Sequence, residues 1–244
     1  MTLEKEEFNL STKASGRIDV LVPRCLIGEG ANILGVSVDF EGLCSLQVEW
    51  RYGKICSIKG LKDASKVPNE ILLPRFSEPH AHLDKAFSWS RAPNYKGSYQ
   101  EALVANLNDY KSRSQGQLLF SVEKSLNLAL VNGIRAIRSH IDSFGENVMR
   151  DWDLLEDVRK KWRDKIFLQF VALVPLEFWQ TYEGELLAQR VALNGDLLGG
   201  VIAPPFNTKK TIKFLLHLVQ LANRLDCGID LHIDESQSCP AAGV

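Results

Sequence analysis

From residue 73 onward, short apolar segments alternate with longer segments that carry apolar residues at helical spacing. Five strands are predicted, at residues 71–76, 134–139, 166–174, 198–203 and 229–233. Five helices are predicted, at residues 98–113, 117–132, 151–164, 181–194 and 209–226. An alternation of strand and helix favours an α/β protein, in which a parallel sheet is connected by right-handed crossovers.

Residues at the expected helix ends support these boundaries. Gly133 and Gly228 stand where C-terminal caps are expected, because glycine readily adopts the left-handed conformation there. The pair Asn207-Thr208 suits the N-terminus of the last helix.

The chain before residue 73 has a different pattern. Residues 1–16 are polar and are expected to form a flexible leader. Residues 17–72 are expected to form a partial β-subdomain, since residues 46–50 alternate strictly between apolar and polar. Further short strands are predicted at residues 18–22 and 55–58, and Tyr52-Gly53-Lys54 is predicted to be a turn. The third predicted domain covers residues 73–244.

Four of the five histidines lie at the polar ends of apolar segments: His80, His82, His140 and His232. Side chains alternate along a strand, so His80 and His82 should point the same way. Two such imidazoles can bind a transition metal, although a histidine is also an ordinary half-buried residue. The fifth, His217, lies in a helical pattern and is predicted to be a surface or packing residue.

Metal-binding side chains at the ends of successive parallel strands are typical of (β/α) barrel active sites. A complete barrel of eight units takes about 250 residues, and the chain after Pro74 is long enough for about five units. The predicted fold is therefore an incomplete TIM-like (β/α) barrel, of about five units out of eight, preceded by the small β-subdomain.

The composition excludes several classes of protein. A net charge of −1 offers no attraction for nucleic acid or an anionic membrane, and no apolar run reaches the roughly 20 residues that span a bilayer. The acidic N-terminus does not match a signal peptide. Five cysteines without Cys-x-x-Cys spacing favour free thiols in a reducing cytoplasm. The sequence allows a homo-oligomer without requiring one.

Three segments carry a family resemblance, in the family's order: PHAHLD (residues 79–84), RSHID (138–142) and DLHIDE (230–235). They resemble the cytosine deaminase branch of the metal-dependent amidohydrolase superfamily, and the resemblance runs from about residue 17 to residue 244. It implies a hydrolase that uses metal-activated water to remove an exocyclic amine from a small heterocyclic substrate.

The resemblance implies that His80, His82 and His232 bind one divalent ion, zinc or iron. The family's fourth ligand, an aspartate of strand eight, and a histidine of strand six would lie beyond residue 244. Glu235 would be the catalytic group, moving a proton between water and a ring nitrogen of the substrate. Strand alternation puts Glu235 opposite His232, so the chain must turn before it. Otherwise Glu235 is a solvated loop carboxylate.

Other residues near these motifs leave alternatives open. His140 and Asp142 either order the floor of the substrate pocket or are satisfied polar residues at the barrel mouth. Asp84 and Lys85 are expected to form a local ion pair or to support His82. Leu176 stands where the family has a glutamine that pairs with the pyrimidine edge, which argues against cytosine itself as the substrate. Glu177 and Gln180 are the candidate substitutes.

Strand four distinguishes a site with one metal from a site with two. The segment GGVIAPP (residues 199–205) lacks the lysine that bridges two metals in some superfamily members, so a mononuclear site is expected. Three functions follow. The first is deamination of a nitrogen heterocycle, and the second is release of a substituted amine from an aminotriazine. The third is a catalytically incomplete fragment that lacks the fourth ligand.

Overall fold

The computed structural model describes residues 15–28, 36, 38–61, 67–202 and 208–233. Its contacts divide the chain into two compact units, residues 1–74 and residues 75–244.

The first unit contains an antiparallel sheet of three strands in the order β1-β2-β3. The strands are β1 (Gly16–Pro23), β2 (Leu43–Arg51) and β3 (Lys54–Gly60), and a short 3-10 helix covers Arg24–Leu26. Tyr52 and Gly53 both have positive φ, of 52° and 75°, which is the backbone of a tight hairpin turn between β2 and β3. The turn and the three predicted strands are present, each strand slightly longer than predicted.

The apolar segment at residues 71–76 does not form the first strand of the second unit. Ile71 instead bridges to Leu21 of β1, and the amide of Leu72 donates to the Leu21 carbonyl at 2.8 Å. Pro74 follows, and proline has no N–H with which to continue a ladder of hydrogen bonds. The strand that carries the first histidine therefore starts at Phe76, where the prediction ended it.

The second unit has a parallel sheet of five strands in the order β4-β5-β6-β7-β8. The strands are β4 (Phe76–Ala81), β5 (Ile134–Asp142), β6 (Phe167–Leu173), β7 (Leu197–Val201) and β8 (Gly228–His232). The helices are α1 (Tyr99–Ser112), α2 (Gln115–Val131), α3 (Val148–Trp162), α4 (Tyr182–Leu193) and α5 (Lys209–Arg224), with a 3-10 helix at Leu176–Gln180. The predicted alternation of strand and helix is confirmed.

The core of this unit lies between the sheet and its helices. Its largest fully buried side chains include Trp152, Trp179, Phe170 and Leu187. The central strand β6 is buried on both faces over most of its length, as expected for a parallel strand covered by helices.

Two of the predicted helix ends are correct and one is wrong. The Thr208 hydroxyl caps α5 by accepting from the amide of Thr211, while Asn207 lies outside the described residues. Gly133, with φ of 79°, follows the C-terminal cap of α2. Gly228 begins β8 instead, and Asp226 takes the left-handed conformation after α5 with φ of 51°. Within the described residues, no helix has the length and apolar character needed to cross a membrane.

Candidate metal centre

Four histidine rings meet at the C-terminal end of the parallel sheet. His80 is near the end of β4, His82 directly follows that strand, His140 is on β5, and His232 ends β8. Each ring offers one nitrogen, and these four nitrogens all lie within 4.8 Å of one another. We call these four residues the histidine cluster. It brings together the three predicted metal ligands and also His140, which the sequence placed only near the substrate.

The contacts of the cluster show that the sheet is strongly curled. Strands β4 and β8 are its two edges, and in a flat sheet they would be about 19 Å apart. Nevertheless, Nε2 of His82 lies 3.3 Å from Nε2 of His232. Nε2 of His140 on β5 likewise lies 3.1 Å from Oδ1 of Asp230 on β8, although two strands separate them in the sheet. These side chains meet across the concave face.

The donor set fits one divalent transition metal. Two imidazole nitrogens bound tetrahedrally to zinc at about 2.0–2.1 Å would be about 3.3 Å apart, which matches the spacing between His82 and His232. The ring of His80 lies 5.3 Å from the ring of His82 and 4.8 Å from that of His232, measured between centroids. Imidazole suits both zinc and iron.

The protonation of the rings also favours metal binding, which requires neutral imidazole. Burial, followed by the charge of Lys85 and the proximity of His232, lowers the pKa of His82 to about 3. Burial also lowers the pKa of His140, although its hydrogen bond with Asp230 acts in the opposite direction. Both rings are therefore neutral near pH 7 and keep a lone pair.

Asp230, which was not predicted from the sequence, holds His140 in place. Its carboxylate contacts His140 and accepts a hydrogen bond from Arg138 at 2.8 Å. Partial burial alone would raise the pKa of Asp230, but these two hydrogen bonds bring it below its ordinary value. The signal was available, because Asp230 and His232, like Arg138 and His140, are two residues apart and share a strand face.

The turn after His82 is tied down by a buried ion pair, which we call the Asp84–Arg113 contact. Arg113 donates to the Asp84 carbonyl at 2.6 Å and approaches its carboxylate at 3.4 Å. The amide of Asp142 donates to the same carboxylate at 3.2 Å. Burial, and then the nearby Asp142 charge, raises the pKa of Asp84 to about 6. The sequence offered no signal for Arg113, which lies at the end of a helix.

Lys85 does not pair locally as predicted. Its ammonium lies 2.9 Å from Oδ1 of Asp142, whose other oxygen accepts a hydrogen bond from Asn106 at 3.0 Å. Asp142 is thus a satisfied polar residue and also part of the wall of the cavity. The interpretation of Asp142 as a satisfied polar residue is confirmed, and its role in the substrate pocket stays a prediction.

A cavity of about 1030 Å³ opens beside the histidine cluster. His82 and His232 line it, together with the polar side chains of Lys85, Asn106 and Asp142. A largely apolar part of its lining comes from the end of β6 and from α5: Leu173, Val174, Pro175, Leu176 and Phe214. Leu176 thus lines the cavity, and its contact with a substrate stays a prediction. Glu177 and Gln180 are the two candidates to replace the family's glutamine. Glu177 lines the cavity, and the exposed Gln180 does not.

Two further sequence predictions have different outcomes. Glu235, the predicted proton shuttle, lies outside the described residues, so its role stays a prediction. His217 contacts the backbone carbonyl of Trp179 at 3.0 Å and packs α5 against the 3-10 helix, as predicted for a packing residue.

Comparison with known proteins identifies the relatives of this chain. It is 34% identical over 192 residues to a pterin deaminase of Rhizobium rhizogenes, an alignment that covers 74% of this chain and 43% of the relative. It is 24% identical over 225 residues to an N-isopropylammelide isopropyl amidohydrolase of a Pseudomonas species, covering 89% of this chain and 53% of that protein. Its homologues belong to the metal-dependent amidohydrolase superfamily. No protein-family model matches the chain.

Solved structures show the same fold at lower identity. A 5-methylcytosine deaminase from Klebsiella pneumoniae, liganded with phosphonocytosine, matches 90% of this chain with a TM-score of 0.66 and 21% identity. An N-isopropylammelide isopropylaminohydrolase from Burkholderia multivorans matches 90% with a TM-score of 0.58 and 23% identity. The match covers 53% and 54% of those chains, respectively. The second unit is therefore a partial TIM-like barrel, and the chain spans about half the length of its relatives.

Proposed function

We propose that this chain carries the metal-binding part of a hydrolase that cleaves a C–N bond in a nitrogen heterocycle. The favoured reaction is removal of an exocyclic amine as ammonia. The observation that carries this proposal is the meeting of His82 and His232, 150 positions apart in sequence, at 3.3 Å in the mouth of a curled parallel sheet. The spacing between these two nitrogens matches that of two imidazole ligands bound to one ion.

The proposed ligands of the ion are His80, His82 and His232. When bound, one zinc or ferrous ion would lower the pKa of a water molecule and so provide a nucleophile at neutral pH. The chain itself supplies the orientation, since the Asp230 carboxylate holds His140, whose ring stacks on that of His80 at 4.3 Å between centroids. Glu235 is proposed to move a proton between that water and a ring nitrogen of the substrate.

The bounds of the two domains are proposed together with this function. Residues 73–244 are proposed to form the hydrolase domain, with about five of the eight barrel units, and residues 17–72 to form a β-subdomain. The proposed location is the cytoplasm. The described cysteines are all free thiols, which suits a reducing compartment: Cys25, Cys44, Cys56 and Cys227.

Among substrates, an aminopteridine is favoured over cytosine. The pterin deaminase is the relative with 34% identity, and Leu176 contributes an apolar wall where the resemblance implied a glutamine. The cavity is ample for a bicyclic ring. The alternative substrate is an N-substituted aminotriazine, as the name of the Pseudomonas relative indicates, and its product would be an alkylamine instead of ammonia.

The test combines metal analysis with a product assay. The purified chain, reconstituted with zinc or ferrous iron, is expected to bind about one ion per chain. It is then incubated with pterin, cytosine and aminotriazines, and ammonia and alkylamine are measured with a chelated sample as the control. Release of ammonia from pterin supports the proposal. An ion content near zero under metal-replete conditions would contradict it.

The second candidate function is a non-catalytic fragment that keeps the motifs. The specific observation in its favour is that the chain spans only 43% and 53% of its two curated relatives. The same assay separates the two candidates. A chain that binds about one ion but releases neither ammonia nor alkylamine supports the incomplete fragment.

A further inference from the structure

Three polar side chains of the cavity form one connected group. Asp142 is at its centre, with Lys85 on one carboxylate oxygen at 2.9 Å and Asn106 on the other at 3.0 Å. The three come from different parts of the fold: the end of β5, the turn after β4 and helix α1. All three line the cavity that also contains His82 and His232. We call Lys85, Asn106 and Asp142 the polar triplet.

The triplet determines which way the Asn106 amide faces. A carboxylate paired with a lysine ammonium has only acceptor atoms. The group that Asn106 turns towards Asp142 must therefore be its NH₂, and its carbonyl oxygen Oδ1 is directed elsewhere. An asparagine amide with a single contact could adopt either orientation, but this partner allows only one.

The carbonyl of Asn106 is available to a ligand. Across the described part of the chain, Oδ1 of Asn106 accepts no hydrogen bond. The side chain is half-buried in the cavity wall, where Oδ1 stays accessible to solvent and therefore to a donor on a ligand. The neighbouring Lys85 has three N–H donors, of which one contacts Asp142. The cavity therefore presents one acceptor, the Asn106 carbonyl, and one donor, the Lys85 ammonium, each held by a different oxygen of the Asp142 carboxylate.

That pattern is complementary to a cyclic amide, in which a ring N–H is adjacent to a C=O. We propose that the polar triplet recognises the cyclic amide edge of an amino-oxo heterocycle: Asn106 accepts from the ring N–H and Lys85 donates to the ring carbonyl. Asp142 is then a positioning residue, since it acts through Asn106 and Lys85. This inference rests on the proposed function, and it specifies the substrate class as heterocycles with an oxo group beside a ring N–H.

Two pteridines test this directly, because they differ mainly at that edge. Pterin has a ring N–H beside a carbonyl, whereas 2,4-diaminopteridine has an unprotonated ring nitrogen beside an amino group. Both are fluorescent, so their binding to the full chain can be measured by fluorescence titration without turnover. The wild-type chain is expected to bind pterin more tightly than 2,4-diaminopteridine.

The decisive variant is Asn106→Ala, with Asn108→Ala as the matched control. Asn108 is exposed on the same helix and does not line the cavity, and alanine is well tolerated within helices. Loss of one hydrogen bond in a partly desolvated site should weaken pterin binding about tenfold. Binding of 2,4-diaminopteridine should change by less than about twofold, because the lost acceptor never served it. A second variant, Asn106→Leu, keeps the volume and should behave in the same way.

The possible results separate this inference from the proposed function. If Asn106→Ala weakens both pteridines equally, or neither, the recognition role of Asn106 is wrong even if the wild-type chain releases ammonia. If the wild type binds neither pteridine, the inference is also wrong. If the variant loses selectivity while no form of the chain releases ammonia, the recognition site stands and the hydrolytic function fails.

Discussion

The histidine cluster and the Asp84–Arg113 contact adjoin at His82 and Asp84, two residues apart in sequence, but their electrostatics differ. In the cluster, four side chains of one kind meet, and the pKa of His82 falls to about 3. In the contact, opposite charges meet with side chains only 5% and 1% exposed. The histidine cluster is favourable mainly when a cation is present. The Asp84–Arg113 contact instead orders the turn that follows His82.

This difference predicts opposite responses to mutation. Truncating the ring of a proposed ligand should remove ion binding and alter stability modestly. Truncating a partner in the contact should reduce stability and leave the ligands in place. Four experiments, ordered from the largest expected effect to the smallest, test this contrast.

The largest effect is expected for His82→Ala, which should abolish binding of the ion. It removes one of the two nitrogens that lie 3.3 Å apart, and a ligand matters more than the surrounding groups, whose loss typically costs about 10–100-fold in affinity. The measurement is metal content after reconstitution and desalting. His217→Ala is the control, since His217 packs against Trp179 instead. A His82→Ala chain that retains its ion would exclude His82 as a ligand.

The next effect is on stability. Arg113→Ala leaves Asp84 buried without its cationic partner, and breaking a buried pair typically costs about 3–5 kcal/mol. The free energy of unfolding, measured by denaturant titration, should fall by that amount, while the folded fraction still binds the ion. Arg224→Ala, which breaks the exposed pair with Glu185, should change the free energy of unfolding far less, because water screens exposed charges. Equal losses in the two variants would show that burial of the pair is unimportant.

In the metal-free chain, His82 and Asp84 should change the free energy of unfolding in opposite directions as the pH falls. The pKa of His82 falls from 6.5 to about 3 on folding, so its contribution to stability is lost as the pH falls below 6.5. The pKa of Asp84 rises from 3.8 to about 6, so its contribution is gained as the pH falls through 6. Between pH 6 and pH 4 the two effects oppose each other.

Single variants should reveal each effect separately in a chelated sample. Asp84→Asn should lose stability on acidification more steeply than the wild type, whereas His82→Ala should lose it less steeply. A proton that is bound in the unfolded state but not in the folded state, or the reverse, changes the free energy of unfolding by about 1.4 kcal/mol per pH unit. Denaturant titrations at pH 4, 5, 6 and 7 measure the slopes. Parallel slopes in all three proteins would contradict the assigned pKa changes.

The smallest effect is expected for Asp230→Asn. The amide still fills the space but holds His140 less firmly. Because His140 stacks on the proposed ligand His80, with ring centroids 4.3 Å apart, affinity for the ion should fall about tenfold, the low end of the range for groups that support ligands. Competition with a chromophoric chelator measures the affinity. Asp226→Asn is the control, because Asp226 is exposed and asparagine tolerates its left-handed backbone conformation. If both variants bind the ion equally, Asp230 does not support the cluster.

Much of the second unit could be predicted from local pattern. Alternation of apolar segments and helical spacing predicted its strands and helices because those patterns reflect burial along each element. The errors occurred where a distant contact decided the outcome. The apolar residues at 71–76 pair with β1 through Ile71 and Leu72, so β4 starts later than predicted. Likewise, Asp226 and not Gly228 adopts the left-handed turn after α5.

The histidines that meet at the candidate site could be predicted from the sequence, but most of the side chains around them could not. His80, His82 and His232 stand out because each follows an apolar segment that ends at the same edge of a parallel sheet. Asn106 and Arg113 do not stand out, since polar residues on helices are common and their partners, Asp142 and Asp84, are far away in sequence. The local sequence pattern around a residue does not indicate contacts with residues so far away in the chain.

The sequence by itself determined the order of strands and helices, the parallel sheet and the strand ends that carry histidines, because burial leaves a periodic trace along the chain. Only the tertiary structure decided that β4 and β8, the two edges of the sheet, approach across its concave face and bring His82 to His232. It also decided that Asp142 orients Asn106 into the cavity. Curvature and side-chain partners depend on the packing of whole elements, which acts between residues distant in sequence.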